Sequence, residues 1–497
     1  MTTINASATE RNRTILIILG IFLLSVAVRV LTAEYIDIGG DNSEKWRQAH
    51  RLVEGLGYSR WYQQTVRWAI MLPLAGIIKA FGLNPVLAYI QPILFSSAAV
   101  VFIFLIGQRL HSRSLGLTAA LATIIFPQMA QTGSQLWPGV FELGFLSLCV
   151  WLILVWLDTR SRATLVLAAL AFFLGWGCRV TMIYAAPGLA LLIWLPGRNY
   201  KALFGFGAIV AALFLVEWAI FWQITGNPMG RIGVITGTHI QSAGLDITLT
   251  EYLLNFLKLS KLKGLIAVWA ACLGGAVYVA ARGDSRWRAL ALLYVVYTFL
   301  LLYMISGVSP LKLAMPVGTR FWGVVAPFGL LLLLRALFDL KSVRPRTAMA
   351  LMGLVFAAFL GFTAKKIPPV NSLVQVSRDY ALLAPILAER KPVLMRYEHW
   401  QPDFIEEHII AAITGKRGTR VPREDHVLAA IHRNHARMIA LFLPDVSQYD
   451  AYLAADTLTA TDYTTYRFTP PGAAPNEPPA AEIIYGRKLH RAIALPR

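Results

Sequence analysis

Long apolar blocks separated by short polar loops occupy most of the first 366 positions of the chain. They lie at 14–33, 86–106, 115–131, 139–157, 163–178, 180–195, 202–222, 264–281, 289–306, 321–339 and 347–364. Most approach the roughly 18–20 residues a helix needs to cross about 30 Å of hydrocarbon. A weaker stretch lies at 69–82, and Gly175, Gly177 and Pro187 interrupt the region 163–195. The pattern predicts a polytopic α-helical membrane protein with about eleven transmembrane helices. Arg11 and Arg13 precede the first block, but no small-residue cleavage site follows it, so it reads as a retained helix rather than a signal peptide.

The short loops set the expected orientation, because cytoplasmic loops retain Lys and Arg. Arg109 and Arg113, Arg160 and Arg162, Arg198 and Lys201, Arg282, Arg286 and Arg288, and Lys341, Arg344 and Arg346 all fall on the side of Arg11 and Arg13. The alternate connections at 132–138 and 177–182 are nearly devoid of basic residues. This places the N-terminus in the cytoplasm and leaves segments 34–68, 223–262 and 367–497 on the opposite, extracytoplasmic face, as in a multi-pass protein of the bacterial inner (plasma) membrane. The expected division is a membrane module, 1–366, with external loops 34–68 and 223–262, followed by a small extracytoplasmic α/β domain, 367–497. In that domain amphipathic, helix-like stretches at 372–390, 402–413 and 424–436 alternate with strand-like ones at 393–397, 438–443 and 482–485. A proline-rich connector occupies 469–479.

Composition sharpens the class. The 497 residues are 57% hydrophobic and 15% charged, where soluble domains carry about 25% charged residues. That excludes a soluble enzyme, a disordered chain and a disulfide scaffold. Lys+Arg 46 against Asp+Glu 27 gives +19; in a chain of this hydropathy the charge fits phosphates and anionic membrane lipids, with no nucleic acid implied. Cys149, Cys178 and Cys272 sit in apolar blocks without CxxC spacing and read as packing residues. P-loop, HExxH and GxSxG patterns are absent.

Carboxylates cluster just beyond the first helix, at Glu34, Asp37, Asp41 and Glu44. Asp41 and Glu44 fit a capping box at the start of an amphipathic helix. Asp41 also follows two glycines, a position from which a carboxylate at a cavity mouth would accept a proton from an attacking hydroxyl. Arg29, Glu142, Arg179, Glu217 and Arg320 lie within or at the edge of apolar blocks, where an ionisable group has a functional or pairing role by default; for Glu217 the pairing role is the expectation. His426, His432 and His435 fall on one expected helix and read as solvated histidines rather than metal ligands.

An apolar helix, a short acidic loop, an amphipathic helix and a basic, aromatic stretch, in that order, resemble the GT-C glycosyltransferases. The resemblance rests on Gly40-Asp41-Asn42-Ser43-Glu44-Lys45-Trp46, on Ala49 and on Leu52-Val53-Glu54-Gly55-Leu56-Gly57-Tyr58. Further echoes are Gly107-Gln108-Arg109-Leu110, Phe126-Pro127, Glu142 after Trp137-Pro138, Gly226-Asn227-Pro228, and Arg320-Phe321 with Pro327. Together they cover about the first 330 residues. Branches acting on protein or lipid A often carry a His-Pro-Pro stretch where this chain has Arg67-Trp68-Ala69-Ile70-Met71-Leu72-Pro73.

The resemblance implies a membrane enzyme that moves a sugar from a polyprenyl-phosphate donor to a glycan, lipid or protein acceptor. It implies Asp41 as catalytic base and Glu142 as the residue that orients the sugar or helps hold a divalent cation, the one cofactor candidate. A lipid phosphate needs fixed cations at the membrane boundary, and Arg320, Arg67 and Arg179 are placed for that, although an interfacial Arg67 would also snorkel to headgroups. Trp137 would stack on a sugar, or anchor in the headgroup belt like other interfacial tryptophans. The competing readings are a transporter or flippase of a lipid-linked glycan, which predicts inverted repeats and mid-span charges, and an envelope polysaccharide ligase or polymerase.

Overall fold

A computed structural model describes residues 8–34, 41–53, 55, 57, 61, 63–82, 84–242, 247–256, 265–308, 311–314, 319–368, 371–374, 377, 393–395, 428–432, 437–442 and 483–485. In chain order the helices are α1 (Ala8–Leu31), α2 (Asp41–Val53), α3 (Trp68–Phe81), α4 (Ile90–Leu110), α5 (Arg113–Ile124), α6 (Pro127–Thr132), α7 (Pro138–Thr159), α8 (Arg162–Cys178) and α9 (Ala186–Trp194). They continue with α10 (Tyr200–Thr225), α11 (Gly230–Ser242), α12 (Leu249–Leu253), α13 (Leu265–Arg282), α14 (Ser285–Tyr303), α15 (Thr319–Trp322), α16 (Ala326–Val343) and α17 (Pro345–Ala364). The strands are β1 (Ile305–Val308), β2 (Leu311–Leu313), β3 (Val393–Met395), β4 (Leu428–His432), β5 (Arg437–Phe442) and β6 (Ile483–Tyr485).

Among the described residues, six helical segments are long and apolar enough to span a bilayer: Glu10–Leu31, Val86–Leu110, Pro138–Thr159, Tyr200–Thr225, Ser285–Tyr303 and Pro345–Ala364. Shorter apolar helices run over Trp68–Phe81, Arg162–Cys178, Val180–Trp194 and Ile266–Arg282. Leu16, Leu23, Phe204, Leu215 and Leu354 stand exposed on α1, α10 and α17, a surface that hydrocarbon rather than water covers. The protein is thus multi-pass and α-helical.

Contacts between residues divide the structure into two compact units, each built from discontinuous segments. The first comprises residues 1–32, 61–70 and 92–367, and the second 33–60, 71–91 and 368–497. In the first unit α7 is the buried helix of the core, with Leu143, Leu146, Cys149, Val150, Ile153 and Leu154 all fully enclosed. Local chemistry turns the chain between helices: Ser112 caps α5 by accepting from the Leu115 amide at 3.2 Å. Asn199 caps α10, and Asp284 caps α14 through the Arg286 and Trp287 amides.

The segment expected as one span at 115–131 is instead two helices. Pro127 opens α6 and holds Phe126 extended, since a proline disfavours helical geometry in the residue before it. The carbonyls freed by the break are satisfied by other helices. Arg29 Nη1 donates to the Ile124 carbonyl at 2.8 Å and Thr363 to that of Ile125 at 2.7 Å; near the end of α6, Thr32 donates to the Ala130 carbonyl at 2.7 Å. Inside an apolar medium such side-chain donors make a helix break tolerable. Proline has a similar effect at 180–195, where a 3-10 turn over Val180–Ala185 precedes α9, whose first turn carries Pro187. The segment at 321–339 is split between α15 and α16, with Pro327 in the first turn of α16.

At one end of the unit, Asp158 accepts from Arg109 and from Arg286, each at 2.7 Å. The C-terminal ends of α4 and α7 and the N-terminal end of α14 therefore share a side, as the basic loops require. Near the other end of α14, Asn255 Nδ2 donates to the Leu302 carbonyl at 2.6 Å and the Tyr252 hydroxyl to that of Tyr303 at 2.8 Å. These bonds tie α12 and its flank to the helix terminus.

In the second unit β5 pairs antiparallel with β3, β4 and β6. The strand expectations at 393–397, 438–443 and 482–485 coincide with β3, β5 and β6, while the expected helices at 372–390 and 402–413 lie almost entirely outside the described residues. The expected helix at 424–436 is corrected, because Leu428–His432 is strand β4, joined to β5 in a hairpin register from Leu428↔Leu441 to His432↔Arg437. His432 therefore belongs to a strand rather than to the expected helix, while His426 and His435 lie outside the described residues. Short apolar runs of this kind are ambiguous by period alone, and the pairing with β5 decides.

Helices α4 and α5 approach so closely that a Cβ on Gly107 would lie 2.7 Å from the Gly116 Cα, and one on Gly116 would lie 2.8 Å from the Gln108 amide nitrogen. Small residues allow backbones to pack where lipid provides no hydrophobic drive. Gly116→Ala is expected to destabilise the fold by about 1–3 kcal/mol, seen as a lower thermal midpoint in detergent. Gly20→Ala, whose added methyl would meet nothing within 4 Å, should leave the midpoint in place.

Candidate functional site

Glu142 lies in the first turns of α7, one helical turn beyond the Trp137-Pro138 start that fixes where the helix begins. It has no exposed surface. The chain reaches it a second time because α8 stops at Cys178 and Arg179 is extended, with φ −161° and ψ 132°, before the 3-10 turn that follows. That break brings Thr181 Oγ1 within 2.8 Å of both Glu142 carboxylate oxygens and Arg179 Nη1 within 3.6 Å of one. From α14 the Tyr297 hydroxyl donates to Oε1 at 2.8 Å, with the Tyr184 ring edge-on against it at 5.9 Å. Arg179 lies over the Phe321 ring at 4.6 Å. A buried carboxylate is tolerated only when paired and hydrogen-bonded, and Glu142 meets both conditions.

Arg67 is close enough to Glu142 to interact with it electrostatically, and its guanidinium donates to Gln64 Oε1 at 2.5 Å. The first unit thus brings together three of the candidate residues, Glu142, Arg179 and Arg67. Trp137 precedes Glu142 by five positions, and its indole N–H donates to the Gln135 side chain. Arg320 belongs to α15, directly before the Phe321 that packs on Arg179; its side chain lies outside the described residues. Asp41 opens α2 in the second unit, and its side chain also lies outside them. The sugar-orienting role implied for Glu142 would require its enclosure to open.

A second buried constellation surrounds Glu217, expected from sequence to be ion-paired. Arg231 Nη1 donates to its Oε1 at 2.7 Å, Trp68 Nε1 to Oε1 at 2.5 Å and Trp176 Nε1 to Oε2 at 2.6 Å. Arg231 also donates to the Trp176 carbonyl at 2.6 Å. Burial lowers the Arg231 pKa from its ordinary value, and Glu217 opposes that shift. The latch joins α10 and α11 to the end of α8 and the start of α3.

Sequence reasoning missed Thr181, Tyr297 and Arg231, whose partners are remote in the chain. It also passed over Lys45, which is fully buried on α2 with Asn42, Trp46 and Ala49. There a signal existed, because positions 42, 45, 46 and 49 repeat at i, i+3, i+4 and i+7 and share one helix face. Among the described residues no group of three or more His, Cys, Asp or Glu side chains is placed to hold a metal ion.

No protein-family model and no curated protein matches the chain by sequence. Solved structures do. ArnT from Cupriavidus metallidurans, in a crystal structure bound to undecaprenyl phosphate, is 14% identical, with a TM-score of 0.51 over 90% of this chain and 89% of that one. The Archaeoglobus fulgidus oligosaccharyltransferase in its apo form is 13% identical, with a TM-score of 0.48 over 82% of this chain and 65% of that one. AglB from the same organism, in complex with an inhibitory peptide and a dolichol-phosphate, is 15% identical, with a TM-score of 0.47 over 82% and 64%. This chain thus spans just under two thirds of the archaeal enzymes it matches. The likeness to ArnT is one of fold, over nearly the whole of both chains, and it bears out the GT-C resemblance at that level.

Arg231→Met would leave Glu217 buried without its cation and is expected to cost about 3–5 kcal/mol of stability. Adding Glu217→Gln should recover part of that loss. Thermal unfolding of the purified single and double variants checks both expectations.

Proposed function

We propose that the chain is a membrane glycosyltransferase that transfers a sugar from a polyprenyl-phosphate donor to a cell-envelope acceptor on the extracytoplasmic face. The observation that supports this reading most directly is the pairing of buried Glu142 and Arg179 with the half-buried Arg67 nearby, set in a fold like that of ArnT. An arginine held at the edge of an apolar bundle is suited to a lipid phosphate, whose charge needs fixed donors where water is excluded.

In the proposed reaction the acceptor hydroxyl attacks the anomeric carbon as the bond from that carbon to the phosphate oxygen breaks. Asp41 takes the hydroxyl proton as general base, and the polyprenyl phosphate leaves with the bonding pair. A single displacement inverts the anomeric configuration. Arg179, Arg67 and Arg320 would bind and stabilise the leaving phosphate, Trp137 would present its ring to the sugar, and Glu142 would set the polar lining behind it. The proposed topology has eleven crossings in a module of residues 1–366, a cytoplasmic N-terminus, and an extracytoplasmic domain of residues 367–497 in the bacterial inner membrane.

Purified protein supplied with an undecaprenyl-phosphate-linked sugar and an envelope acceptor fraction should transfer the sugar, and Asp41→Asn should lower turnover by about 10²–10⁴-fold while inserting into the membrane normally. Undiminished turnover by Asp41→Asn would remove it from the base role. Movement of the intact donor across vesicles without transfer would favour a transporter.

A further inference from the structure

Among the described residues Glu142 is the most enclosed acidic group in the first unit, yet it sits beside an arginine that is not completely enclosed. Its side chain shows 0% exposure against 7% for Arg179. Thr181 and Tyr297 fill its oxygens from two directions, one from the turn after α8 and one from α14. A carboxylate so held has little freedom to follow a substrate. Its neighbour Arg179 is fixed on two sides, by the Glu142 charge at 3.6 Å and by the Phe321 ring at 4.6 Å. Guanidinium groups carry five donors in a rigid fork, and fixing the fork's plane determines where its N–H groups point.

Resting on the donor reading above, we propose that Tyr297 and Thr181 are positioning residues that act through Glu142 to aim the Arg179 guanidinium at the phosphate of the lipid donor. Glu142 then touches neither sugar nor metal. It is a buried counter-charge that sets the direction of a phosphate-binding arginine, in the way outer partners orient the groups that meet a ligand. The expected signature is selectivity: loosening the carboxylate should weaken recognition of the phosphate and leave recognition of the isoprenoid tail alone.

The test compares binding of undecaprenyl phosphate with binding of undecaprenol, which has the same chain and no phosphate, to the purified full-length protein in nanodiscs. Wild-type protein should prefer the phosphate. Tyr297→Phe and Glu142→Gln should each weaken undecaprenyl phosphate binding about ten-fold, the scale of one hydrogen bond to a charged group, with undecaprenol binding unchanged. Asp158→Asn, at the opposite end of α7, should alter neither. If Glu142→Gln does not fold, Tyr297→Phe, which keeps the ring and removes only the hydroxyl, still decides. Unchanged phosphate binding in Tyr297→Phe overturns the inference, as does an equal loss for both lipids, which would mark a purely structural role. A wild-type protein that does not distinguish the two lipids would instead overturn the donor reading, and this inference with it.

Discussion

A carboxylate removed from water must have its lone pairs occupied by donors that stay in place, and Glu142 imposes that constraint on three separate elements. Its donors come from the turn after α8 and from α14, while Glu142 itself belongs to α7. A shift of any one of these elements would strand a buried charge, a loss of several kcal/mol in a protein interior. The network therefore holds the α7 start, the α8 end and α14 in register. The Glu217 latch does the same for α10 and α11. Polar groups thus join the helices at one level of the bundle, where lipid gives them no hydrophobic reason to associate.

The two ends of α7 divide the labour. Asp158, sixteen residues beyond Glu142 and so about 24 Å along the axis at 1.5 Å per residue, binds two arginines in a partly exposed setting. Surface pairs of that kind contribute little to stability, and their value here is to gather helix ends on one side. Between the two groups α7 is apolar and buried. The broken helix at 125–126 follows the same logic at smaller scale, because Arg29 and Thr363 supply the donors that Pro127 and the interruption leave missing.

Much of this was legible in the chain. The apolar blocks fall on helices, and the basic loops match the meeting of Arg109, Asp158 and Arg286. The burial penalty at Glu142, Arg179 and Glu217 singled them out before any contact was known. Hydropathy could not show that Phe126-Pro127 splits one apolar block in two, because a window average does not register a single missing amide. It could not show Tyr297 either: a tyrosine among leucines on α14 looks like packing until its hydroxyl meets a carboxylate 155 positions away. The His432 expectation failed for the opposite reason. A five-residue apolar run has too few positions to display a period, and its strand partner lies outside the run.

The central claim is that a phosphate-bearing lipid is received at the Arg179 end of the bundle by an arginine that Glu142 holds in place. Electron cryomicroscopy of the full-length protein in nanodiscs with undecaprenyl phosphate tests it most directly. The account predicts density for the phosphate within hydrogen-bonding distance of the Arg179 guanidinium, with Thr181 and Tyr297 still bonded to Glu142. A phosphate seated instead at the opposite end of α7, beside Arg109 and Arg286, would contradict it.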